Sequence, residues 1–112
     1  MTAQLPFIKF RERDTTKGIM LSYLKADMPL REYATLQMKK GWFSVGYNYI
    51  LHADGSMEEG VHHTQCCDPT VKGATDHVCV LVMGQCEGQL NSVQRNALEV
   101  LADELNLPIV GD

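Results

Sequence analysis

Long apolar runs are missing from this 112-residue chain: the longest, Val78 to Met83, falls far short of the roughly 20 residues a membrane-spanning helix needs. The first twenty residues carry Lys9, Arg11, Glu12, Arg13 and Asp14 but no apolar stretch of the kind a secretory signal requires, so a cytoplasmic protein is expected. Basic residues are in the minority, with 10 Lys and Arg against 14 Asp and Glu and a formal charge of −4. That balance argues against nucleic acid or an anionic membrane as the direct partner, since both are held by basic patches. Internal repeats and low-complexity tracts are absent, and the length leaves room for one hydrophobic core but not two. Cysteine is present at positions 66, 67, 79 and 86, yet nothing else points to an oxidising compartment, so reduced thiols are expected.

The residues that are there fall into an ordered series of elements. A polar arm over 1–18 includes an extended piece at Phe7 to Phe10, and Ile19 to Leu24 reads as a first, buried strand. A loop ending in Pro29 leads into a helix over Leu30 to Lys40, marked by Leu30, Tyr33, Leu36 and Met38 and closed by basic residues and a glycine. Gly41 to Gly60, GWFSVGYNYILHADGSMEEG, reads as strand, turn, strand: Val45, Tyr47, Tyr49, Ile50 and Leu51 suit a half-buried sheet, and Asp54-Gly55 supplies the turn. A long loop covers Val61 to Ala74, and Asp76 to Met83 is the best buried strand. Asn91 or Ser92 caps a helix running to about Leu105, whose stripe is read as Val93, Ala97, Val100, Leu101 and Glu104, with Leu98 and Leu105 beside it. Pro108 to Val110 is a short last strand. The expected fold is α/β with an α+β-like character, a single domain over 19–112 behind the arm, with a central mixed sheet of about five strands flanked by two main helices.

Several side chains admit both a structural and a chemical reading. Tyr47 reads as a strand aromatic packing over the sheet, Trp42 as core between the first helix and the sheet, and Cys79 as a small core residue. His52, His62, His63, Cys66, Cys67 and His77 make an inventory of metal-ligating types. The spacing His62-His63-x-x-Cys66-Cys67 does not reproduce the common structural zinc patterns, so solvated histidines and idle thiols are expected there, with a metal site as the alternative. The alternation Lys9, Arg11, Arg13 reads as a solvated strand face.

Gly41 to Gly60, with Ile8 to Ile19 and Leu30 to Trp42 ahead of it and Val78 to Gly84 and Asn91 to Asn106 behind it, resembles the type 2 N-acetylmuramoyl-L-alanine amidases. That family includes the peptidoglycan recognition proteins, and the match is nearest to phage lysozymes of the T-seven coliphage type. The resemblance covers most of the chain and implies their fold and their reaction, zinc-assisted hydrolysis of the muramoyl-L-alanine amide. It matches Tyr47 to the tyrosine that hydrogen-bonds the developing oxyanion. It also places Ser22 and Asp112 where the family has two zinc-ligating histidines, with the third ligand position past Asp112. Serine is not a usual zinc ligand, so the inherited site is expected not to form and no cofactor is expected. From the resemblance, Lys9, Arg11 and Arg13 belong to a surface that engages the phage RNA polymerase. The expected function is then an amidase-fold pseudoenzyme, in the host cytoplasm if phage-encoded, that binds and regulates a protein partner; the alternative is a muropeptide binder or a weak amidase.

Overall fold

The computed structural model describes residues 13, 15–40, 46–62, 65–66, 74 and 76–110. Within them the order is β1 (Gly18–Leu24), α1 (Leu30–Lys39), β2 (Tyr49–Leu51), β3 (Met57–Glu59), β4 (His77–Met83) and α2 (Ser92–Leu105). The sheet runs β1-β4-β2-β3, with β1 and β2 both parallel to β4 and β3 antiparallel to β2. The mixed sheet and both helices are those expected from the sequence, with one strand fewer. Residues 108–110 make only a single parallel bridge, Ile19 to Ile109, in which Pro108 O accepts from Ile19 N–H and Ile19 O accepts from Val110 N–H. Proline has no N–H to extend that ladder, so the segment covers the edge of β1 without becoming a strand.

Alternation along β4 divides the core. Val78, Val80 and Val82 point to one face, with Ile19 and Leu21 of β1, Leu51 of β2 and Leu98 and Leu101 of α2. Leu81 and Met83 point to the other, with Ile50, where Met28, Leu30, Tyr33 and Tyr47 pack on them. The helices therefore lie on opposite faces of the sheet, and they are held differently. Residues Gln94, Leu98 and Leu101 of α2 are buried, whereas α1 buries no residue fully.

The buried face of α2 corrects the stripe expected from the sequence. Val93 and Val100 are half-exposed or more, and the inward position one turn from Leu98 is held by Gln94, which is fully buried. Gln94 sits there because its amide is saturated. Its Nε2 donates to His52 O at 3.1 Å and Met83 O at 3.0 Å, and its Oε1 accepts from Asn91 N–H at 3.2 Å. Asn91 Oδ1 accepts from Gln94 N–H at 2.8 Å, completing a capping box that also joins the helix to the ends of β2 and β4.

The second departure is the brevity of β2, which starts at Tyr49 and leaves Tyr47 outside the strand. Asn48 is the cause. Its backbone N–H donates to Cys79 O, but Cys79 N–H is taken by the Asn48 side-chain Oδ1 at 2.9 Å, so a side chain replaces the next rung of the ladder. The other end of that amide, Nδ2, lies 3.0–3.2 Å from the carbonyls of Val61, His62 and Gln65 and ties the following loop to the sheet. Trp42 and Val45 lie outside the described residues.

Because the Gln94 side chain satisfies three backbone groups in a dry environment, Gln94→Leu should destabilise the fold by about 2–4 kcal/mol, against about 1 kcal/mol for Asn91→Ala. Urea unfolding of the two variants checks the ranking; equal midpoints would contradict it.

Candidate functional site

The face of the sheet that carries α1 holds the residues singled out by sequence. Ser22 lies in β1 with Leu81 as its register partner, and Ile50 of β2 is the partner of Leu81 on the far side. Alternation turns Ser22 to the same face as Leu81 and Ile50, away from the buried Leu21. Tyr47 packs on the cluster containing Ile50 and Leu81 and on Cys79 and Ala74. Ser22 and Tyr47 thus share one face, and both are half-buried, as are Met20 and Leu24 of β1. The face is apolar at its centre and partly open along β1.

The remaining sequence candidates are placed separately. Cys66 is buried and His62 is exposed in the loop held by Asn48, Cys79 is buried in β4, and Cys86 is exposed beyond it. Among the described residues, no three His, Cys, Asp or Glu side chains converge so as to hold a metal ion. Arg13 directs its guanidinium at the protein itself: Nη1 donates to Gln65 O at 2.7 Å and His77 O at 3.2 Å, and Nε to Thr16 Oγ1 at 3.1 Å. Lys9, Arg11, His63, Cys67 and Asp112 lie outside the described residues. Among the described residues, no helix is long and apolar enough to cross a membrane.

At the carboxyl ends of the three parallel strands stands a cluster that sequence reasoning did not assemble. His52 follows β2 and is only 9% exposed. Its Nδ1 lies 2.8 Å from Asp27 Oδ1 and its Nε2 2.7 Å from Glu58 Oε1, so both ring nitrogens face carboxylates and both donate. Asp27 Oδ2 also accepts from Ala53 N–H, and Glu58 Oε1 also accepts from Leu30 N–H, the first amide of α1. Since Pro29, the residue that precedes α1, offers no side-chain cap, Glu58 caps the helix, reaching in from β3. Asp27, Pro29, His52, Asp54, Ser56 and Glu58 line a cleft of about 400 Å³ here. His52 was counted among possible metal ligands by residue type, yet both of its nitrogens are committed. The only sequence signal was a charged Glu58 at an alternation position turned toward α1, and its distance from Asp27 along the chain hid the pairing.

Burial pulls the His52 pKa down, but the hydrogen bonds it makes to Asp27 and Glu58 and the charges of those carboxylates outweigh it, and the net shift is upward. The hydrogen bond from His52, helped by the one from Leu30, lowers Glu58.

The comparisons agree with this architecture. The chain is 30% identical to the endolysin of Klebsiella phage KP32 over 115 residues, covering 93% of this chain and 76% of the endolysin. Its structure superposes on Drosophila peptidoglycan recognition protein SD with a TM-score of 0.72 at 17% identity, covering 91% of this chain and 68% of that one. It superposes on the N-acetylmuramoyl-L-alanine amidase LysC of Clostridium intestinale with a TM-score of 0.64 at 12% identity, covering 91% and 77%. No family model matches the sequence. The fold is that of the amidases and peptidoglycan recognition proteins. The chain belongs to that family, on its phage endolysin side.

The cluster sets a pH window for stability. A raised His52 pKa contributes stabilisation that is complete below the unfolded value of about 6.5 and is lost as pH rises through the folded value. A lowered Glu58 pKa contributes stabilisation present above the unfolded value of about 4.3 and lost as pH falls through the folded value. Thermal unfolding across pH should therefore show a maximum in the mildly acidic range. His52→Gln should flatten the alkaline side and cost about 1–3 kcal/mol, less than a fully buried pair because both carboxylates are partly solvated. An unchanged alkaline limb in that variant would refute the assignment.

Proposed function

We propose that this domain binds peptidoglycan fragments on the α1-facing side of its sheet and does not hydrolyse them. The observation that carries the reading is Ser22. It stands on the same half-open face as Tyr47, at the strand position where the resemblance places a zinc-ligating histidine, and it brings one neutral hydroxyl. Zinc needs three nitrogen, sulfur or carboxylate ligands before it can activate a water, and a serine at the first of these does not fit that set. Without the metal, the face keeps what recognition requires, an apolar floor of Leu81 and Ile50 with the Tyr47 ring packed on it and the Ser22 hydroxyl beside it. In the endolysin relative and the peptidoglycan recognition proteins the same fold is tied by name to the cell wall or its lysis, which supports a muropeptide ligand.

Action through a protein partner such as a polymerase is the first expectation from the sequence, resting on the fold resemblance with Ser22 and Asp112 at the zinc positions, and its candidate contacts are Lys9, Arg11 and Arg13. Among the described residues Arg13 is engaged with backbone carbonyls, and this favours the sheet face over the arm as the place of recognition.

Calorimetric titration of the full chain with a purified disaccharide-tetrapeptide muropeptide should give saturable binding, weakened about tenfold in Tyr47→Ala. The ligand should be recovered intact, and protein purified without chelator should carry no stoichiometric zinc. Release of free peptide together with one zinc per chain would restore the amidase reading, and absence of binding would reject both.

A further inference from the structure

The opposite face of the sheet carries a second feature that a muropeptide site does not use. Between α2 and the β2–β3 hairpin runs a groove of about 430 Å³, lined by Tyr49, Met57, Ala97, Val100 and Leu101, with Glu59 and Glu104 at its rim. Val100 is 58% exposed in the middle of α2, and Val93, two turns earlier, is 50% exposed, whereas Leu98 and Leu101 point inward. The two carboxylates come from different elements, Glu59 from β3 and Glu104 from α2, and both act on Tyr49. Burial first, then the charges of Glu59 and Glu104, raises the Tyr49 pKa, so the groove is apolar in its floor and negative in its field.

We propose that this groove docks a segment of a partner protein that presents a lysine or arginine next to an aliphatic side chain. The aliphatic group and the methylene stem of the basic residue cover Val100, Met57 and Ala97, while the cationic head reaches Glu59 and Glu104. β3 is the outermost strand on this side of the described sheet, and the docked segment would lie along it. Charge excludes the competing occupants. A second copy of this chain in a two-fold contact would set glutamates against glutamates, and nucleic acid or an anionic membrane would meet the same repulsion.

The probe is an acetylated hexapeptide alternating leucine and lysine, titrated into isotopically labelled full-length protein and followed by amide chemical shifts. Saturable shifts centred on Ala97, Val100, Leu101 and Glu104 are expected. Affinity should fall about tenfold in the Glu59→Gln/Glu104→Gln double variant and in Val100→Ser, and should fall with added salt. Asp103→Asn, on the exposed side of the same helix, should leave it unchanged, and hexalysine should bind more weakly than the alternating peptide. The proposal is overturned if the alternating peptide does not bind, if its glutamate counterpart binds equally well, or if Asp103→Asn weakens it as much as the groove variants. The muropeptide titration reads the other face, so failure there leaves this result standing.

Discussion

Both helices are fastened to the sheet through one residue. The ring of His52 is bracketed by Asp27 and Glu58, and Glu58 in turn holds the first amide of α1. The carbonyl of His52 accepts from Gln94, the buried residue of the α2 capping box, and from Gly55 N–H in the turn that follows. The imidazole ring thus secures one layer and a peptide oxygen secures the other, at the end of a strand only three residues long. This matters most for α1, which buries no residue fully and has no cap of its own. Burial of Leu98 and Leu101 together with the Gln94 amide holds α2, whereas α1 adds the Glu58 contact to the partial burial of Leu30 and Tyr33.

That asymmetry bears on the sheet face beneath α1. The half-buried side chains of Met20, Ser22, Leu24 and Tyr47 lie where cover is incomplete, while the face under α2 is closed by Leu98 and Leu101. A recognition surface has to remain accessible, and a helix resting on partial burial leaves it so. The groove beside α2 is a different kind of opening. It lies at the margin of a well-packed layer and owes its character to two glutamates and an exposed valine.

Much of this was legible in the sequence because local rules were obeyed. β1, β4 and both helices lie within a residue or two of where strand propensity, apolar spacing and the Asn91-to-Gln94 cap put them. What escaped were the places where a polar side chain does a backbone's work. Asn48 ends β2 early by substituting its own carbonyl for a ladder oxygen, and Gln94 takes an inward position that apolar periodicity assigns to hydrophobic residues. The Asp27–His52–Glu58 cluster escaped for another reason: Glu58 comes from the local β2–β3 hairpin, but Asp27 reaches His52 only through the parallel arrangement of β1, β4 and β2, which no spacing along the chain encodes. For the site, Ser22 and Tyr47 were singled out through the family resemblance alone, and their shared face follows from the register of β1, β4 and β2, as the engagement of Arg13 with two carbonyls follows from the folded arrangement.

Asn48 also limits how this sequence can drift. One amide group offers donors to the carbonyls of Val61, His62 and Gln65 and an acceptor to Cys79 N–H, all in a site with no exposed surface. Aspartate keeps the acceptor and forfeits the donors, glutamine carries both on a stem one carbon too long, and serine reaches neither end. Each single replacement strands a buried group, so escape from asparagine requires coordinated changes in the loop and in β4. The cost of changing Asn48 falls on folding itself.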